Sequence, residues 1–155
     1  MGYAIENRTI ADIRRDIRDA IKALLKGEQV EGGRLFEVFL HYGTAIDAGD
    51  ADNLPLVWMI PQSYTPEVIG GHKAQHNIPF EFVCVTYNSD DPEAGKDAAE
   101  DLASAVYDIL MRDRSLGGRV ADVIPGTIDP AFEFGGNPAT FAAAVNFSYP
   151  ILRRE

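Results

Sequence analysis

The residue types able to do chemistry in this chain are few. His72 and His76 lie four apart, a spacing that on a helix would put both imidazoles on one face and could seat a metal ion. Their surroundings argue otherwise: Gly70-Gly71 precede them, Ile78-Pro79 follow, and no carboxylate lies between. The pair reads as two solvated histidines in a loop. His41 ends an apolar run with no motif around it. Cys84 sits inside the apolar run 80–87 and reads as an inert core thiol, because a reactive one needs a cationic, partly exposed setting. Asp90-Asp91 resemble a catalytic carboxylate pair, but with Pro92 next they fit a helix start better. There is no glycine-rich stretch leading to Lys and Ser/Thr, no Gly-x-Gly-x-x-Gly and no Gly-x-Ser-x-Gly. The expectation is a protein with no catalytic residues, no cofactor and no metal. The alternative class is a small-molecule or metal-binding domain, or an enzyme, with His72 and His76 over a sheet.

Charge narrows the partners. Among 155 residues there are 14 Lys and Arg against 24 Asp and Glu, a formal charge of −10. A nucleic-acid binder needs a basic surface to displace counterions from phosphate, and an anionic membrane asks for the same sign. Neither is expected. Residues 1–78 carry 8 basic and 11 acidic side chains, residues 79–155 carry 6 and 13, so the acidity is concentrated in the second half. The length suits one domain. No apolar run reaches the roughly 18 residues that span a bilayer, and the first eight residues lack the apolar core of a signal peptide. The glycosylation patterns at Asn7 and Asn146 read as chance. One cysteine cannot make an internal disulfide.

The elements follow from periodicity. Residues 10–26 predict an amphipathic helix, with Thr9 as N-cap and Asp12 three residues on. Ile10, Ile13, Ile17, Ile21 and Leu24 form its apolar face, and Gly27 is its stop. Its polar side is sorted by sign: Arg14, Arg18, Lys22 and Lys26 make a basic ridge, and Asp12, Asp16 and Asp19 an adjacent strip. Like charges four apart repel slightly, so the ridge calls for acids on another element or subunit, or else is a solvated face. Residues 35–41 and 56–60 predict strands, the second bounded by Pro55 and Pro61. Residues 43–53 read as a polar linker and 62–78 as a long loop, a length that is usually functional or mobile. Residues 80–87 are the clearest strand. Asp91 and Pro92 open a second helix whose buried face is Ala94, Ala98, Leu102, Ala105, Val106, Ile109 and Leu110, with Glu93, Asp97, Glu100, Asp101 and Asp108 opposite. Gly117-Gly118 stop it. Strands are expected at 119–124, 131–134 and 141–149, with turns at Pro125-Gly126 and Gly135-Gly136. The order gives an α+β fold: a mostly antiparallel sheet with both helices on one face, plus extended loops, in a single domain.

The pattern resembles the tail terminator (tail completion) proteins of long-tailed bacteriophages over roughly residues 10–149. The likeness lies in the opening helix ending Ala23-Leu24-Leu25-Lys26, the Pro-bounded strand 54–61, and the strand–helix unit 80–110. It continues through Asp113-Arg114-Ser115-Leu116-Gly117-Gly118 and Val120-Ala121-Asp122-Val123 to the Ala-rich closing strand 142–149. Residues 62–78 have no counterpart in it. The resemblance implies a structural virion protein at the head-proximal end of the tail, made in the host cytoplasm. It would form a homohexamer ring that caps the tail tube, ends tube elongation and joins the head–tail connector protein. DNA would pass through without specific binding, and no membrane would be involved. A ring needs head-to-tail contacts that close. Arg14, Arg18 and Lys22 against Glu93, Asp97, Glu100 and Asp101 are the expected halves of that contact. Tyr64, His72, Lys73 and His76 are the expected contacts to tube or connector. A neighbouring connector or stopper protein is the second reading within the virion.

Overall fold

The computed structural model describes residues 5–43 and 54–155. Their order is β1 (Ile5–Glu6), α1 (Ile10–Gly27), β2 (Phe39–Tyr42), β3 (Leu56–Pro61), β4 (Glu67–Gly70), β5 (Lys73–Tyr87), α2 (Pro92–Arg112), β6 (Ile124–Phe134) and β7 (Asn137–Arg154). The architecture is α+β, a mostly antiparallel mixed sheet with two helices, as the periodicity predicts. The linker expected at 43–53 lies, beyond Gly43, outside the described residues.

Both helices start where local chemistry dictates. The Thr9 hydroxyl accepts from the Asp12 amide at 3.1 Å, and the Asp91 carboxylate from the Ala94 amide at 3.2 Å, each satisfying an amide with no partner inside the helix. Ile13, Ile17 and Ile21 are buried as expected, but Leu25 rather than Leu24 completes the row. On α2 the buried row begins at Gly95 and Ala99, and the expected Ala94 and Ala98 are exposed. Both shifts are one residue, the tolerance of a periodicity read from the few apolar side chains near a helix end.

The frame is the antiparallel pair of β5 and β7, in continuous register from Lys73↔Arg154 to Tyr87↔Thr140. β3 and β4 lie along one side of β5, and β6 and β1 along the far side of β7, while β2 extends the sheet beyond β3 in parallel. One face carries Phe80, Phe82, Phe141, Phe147 and Tyr149 and is covered by both helices. The other carries a smaller cluster of Leu56, Val83, Val85, Ala142 and Ala144. There the β6–β7 hairpin folds back until Phe134 meets Trp58 edge-on at 6.4 Å. The alanines of β7 leave room for that approach.

Four expectations are corrected. Residues 62–78 are not a long loop: they contain β4 and the first part of β5. The alternation is present, with Ala74, His76 and Ile78 inward, but a small residue and a histidine on the inner face hide it. The strand expected at 35–41 is only Phe39–Tyr42, because Leu35 and Val38, three apart, are both buried through turns, with Glu37 at φ +62° between them. The strand expected at 119–124 is irregular up to Val123. The turn expected at Pro125-Gly126 is absorbed into one long strand β6, whose register slips at three places. The expected turn at Gly135-Gly136 is present, at φ +71° and +70°.

Candidate interaction surfaces

The sheet order places the two helices over different flanks. α1 packs beside β2 and β3, where Leu25 and Lys22 share a hollow with Leu40, Tyr42, Val57 and Met59. α2 packs over β5, β6 and β7. The flanks differ in charge.

On the α1 flank, the basic ridge does not stand free in solvent. The Arg14 guanidinium lies over the Tyr64 ring, and Arg18 and Lys22 lie over the Tyr42 ring, at 5.6–5.8 Å from the ring centres. Stacked cations of this kind are held by the ring quadrupole as well as by packing. Arg18 also donates to Asp19 at 2.8 Å, which strengthens its hold on its proton. The ridge therefore finds much of its counterweight inside its own chain. Arg14, Arg15 and Arg18 with Tyr42, Ile10 and Ala11 line an open hollow of about 370 Å³. On the other side of α1, Asp16 meets Arg119 at 3.0 Å and Arg8 at 3.4 Å.

On the α2 flank, Glu93, Asp97, Glu100 and Asp101 are all exposed, but they do not form one patch. Glu100 turns toward β6 and accepts from the Ala131 amide at 3.2 Å, whereas Asp101 lines a hollow with Arg34, Val38 and Pro55. Between α2 and β6 runs a cleft of about 330 Å³, lined by Glu100, Asp108, Tyr107, Ser104 and Ile128, on an apolar floor of Ala103, Ala143 and Val145. Asp108 pairs with Arg34. On the opposite face of the sheet, where Asp129 pairs with Ala144, burial and the charge of Asp129 both raise the Glu81 carboxyl above its ordinary range.

The expected tube or connector contacts separate into two kinds. His72 sits exposed at the β4–β5 turn, in left-handed backbone at φ +57°, and Lys73 beside it is half-buried. His76 is not solvated, as the histidine-loop reading required. It is 3% exposed, its Nδ1 is 2.7 Å from the Tyr64 hydroxyl, and its Nε2 is 3.4 Å from a Glu155 carboxylate oxygen, too long for a good hydrogen bond. Arg153 and His76 together hold the Glu155 carboxyl below the usual carboxylate range, Arg153 foremost. Tyr64 and His76 are thus parts of an internal clasp between the β3–β4 segment, β5 and the end of β7. Among the described residues, no group of three His, Cys, Asp or Glu side chains could hold a metal ion, so the structure does not gather His72 and His76 into a site. Burial pushes the Cys84 thiol far up, which fits an inert core group.

Two surface groups escape the sequence reading. Val68 and Ile69 of β4 are 78% and 51% exposed at the hairpin tip, hidden in the sequence by the loop assignment; the alternation through Lys73–Ile78 was the available signal. The second is Ile128 on β6, which only the packing of β6 on α2 brings into a cleft.

Comparison with known protein families and with curated protein sequences finds no match to this chain. No helix among the described residues is long and apolar enough to cross a membrane.

Proposed function

We propose that this protein is a structural virion component, a tail terminator that assembles as a homohexamer ring on the end of the phage tail tube. The observation that carries the reading is the separation of charge across the sheet. An arginine-lined hollow lies at the β2 side and an acidic cleft at the β6 side, on opposite ends of the strand order. Head-to-tail assembly needs two unlike, complementary surfaces on one chain, and their relative rotation decides whether a ring closes. The hairpin tip with Val68, Ile69 and His72 offers exposed apolar area to the tube or the connector, and replaces Tyr64 and His76 in that role. The net charge of −10 suits a channel wall along which DNA slides without binding.

Native mass measurement and electron microscopy test the assembly: closed rings with an axial hole are expected, and a strict monomer at all concentrations, also with tube protein present, contradicts it. Adding purified protein to growing tail tubes tests the role. A terminator fixes tube length, whereas a stopper protein leaves elongation unchanged.

A further inference from the structure

We infer that the helix-free face of the β5–β7 pair is a two-fold contact with a second copy of this chain, in which Lys73 and Arg154 of each copy meet Glu81 and Asp129 of the other. The inference goes beyond the ring reading and does not rest on it.

Register decides which side chains share that face. Side chains alternate along a strand, and Phe80, Phe82, Phe147 and Tyr149 point toward the helices. Lys73, Asn77 and Glu81 on β5 therefore point the other way, with Arg154 opposite Lys73 and Asn146 opposite Glu81 on β7. Ile5 lies beside Leu152, Ile124 beside Ser148 and Asp129 beside Ala144, all on this same face. Each end of the face carries like charges that the chain does not balance. Lys73 and Arg154 stand directly across from each other, and like charges so placed destabilise a sheet. At the other end, burial and the charge of Asp129 raise the Glu81 carboxyl. Among the described residues, none of these four side chains has a hydrogen bond or an ion pair.

The spacing makes the face complementary to itself. Lys73 and Glu81 are eight residues apart, about 26 Å along a strand. Half a turn about an axis lying across the strands at Asn77 brings two copies face to face with their strands reversed. Position 73 then falls over 81, and 75 over 79. The same operation sets Ile5, level with Gln75, over Ile124, level with Pro79, because both lie beyond β7. These two side chains are 37% and 46% exposed. One axis thus matches the charges and the apolar groups together, and the exposed Asn77 meets its own copy. Twisted sheets stack in this way about 10 Å apart with strands crossing at about 30°, within reach of lysine and arginine side chains.

The test is Asn77→Cys protein treated with a short bis-maleimide and read on denaturing gels. Position 77 is exposed and Cys84 is buried, so the introduced thiol is the one that reacts. An isologous contact closes at two copies, so the product should stop at the dimer whatever larger assembly the protein forms. Lys73→Glu and Glu81→Lys should each weaken dimerisation about tenfold or more in sedimentation, and K73E/E81K should regain much of the loss. Circular dichroism checks that the variants fold. No cross-linked dimer, or single swaps that associate like the wild type, overturns this inference and leaves the ring reading standing.

Discussion

Gly95 shows how one position can set a helix against a sheet. A Cβ there would sit 2.6 Å from two ring carbons of Phe141 and 3.1 Å from Asn88 Cβ. Phe141 is fully buried and cannot move aside. The same turn of helix is tied to the sheet by the Thr86 hydroxyl, which donates to the Gly95 carbonyl at 2.7 Å. Alanine is the better helix former by about 1 kcal/mol, whereas overpacking a fixed core costs about 1–3 kcal/mol. Gly95→Ala is therefore expected to lower the thermal midpoint, a loss read by circular dichroism; a higher midpoint would mean that Phe141 yields. Glu81 gives a second test. Its carboxyl is raised by burial first and by Asp129 second. A carboxyl whose folded value exceeds its unfolded one penalises the fold at pH above both values and not at pH below both. Glu81→Gln is therefore expected to stabilise at pH 7 and to lose that advantage by about pH 4. Melting curves at the two values check it, and a gain independent of pH would assign the effect to packing. At this scale the sequence was readable where an interaction is local. The caps Thr9 and Asp91 act on amides three residues away, so spacing alone found them. Arg14 over Tyr64 joins residues 50 apart, and no local pattern encodes that.

Elements were legible in proportion to how plainly they alternate. α1, α2 and the second half of β5 carry large apolar residues at regular spacing, and each is predicted from that spacing, although α2 ends at Arg112, before the expected stop at Gly117-Gly118. The start of β5 carries Ala74 and His76 on its inner face, and the His76 clasp to Tyr64 depends on tertiary structure. The sequence predicts strands at 119–124 and 131–134 because Pro125-Gly126 is a turn signal between them; an edge strand such as β6 tolerates that proline and Pro130, since only one side of it must pair. The β6–β7 hairpin makes the element-level prediction. It is held over the second sheet face by Phe134 against Trp58, above Ala142 and Ala144. Trp58 is the only tryptophan, so the emission comes from this site, where the ring also meets His41 and donates to the Gly43 carbonyl. Phe134→Ala should shift that emission to the red, raise its quenching by acrylamide and cost about 1–3 kcal/mol, toward the low end for a half-buried ring. Unchanged emission would mean that the hairpin is anchored elsewhere. Tolerance of a larger residue at Ala144 would say the same.

For the whole molecule, two electrostatic effects oppose each other, and their ranges differ. Each copy carries −10, so copies repel. A head-to-tail contact between the arginine-lined flank and the acidic flank would bring opposite charges to close range, so it attracts. Centres of neighbouring domains of this size lie roughly 35 Å apart, several times the Debye length of about 10 Å at 0.1 M salt. Moderate salt therefore removes the repulsion first and leaves the close pairs largely intact. Only near 1 M, where the Debye length falls to about 3 Å, do the pairs weaken as well. Ring formation is expected to rise from about 20 mM to about 150 mM salt and to fall again toward 1 M. Sedimentation velocity at these three concentrations checks it. A steady rise to 1 M would make the contact apolar, and Ile128 with the cleft floor its main part. A steady fall would mean that the flank charges outweigh the net charge at every distance.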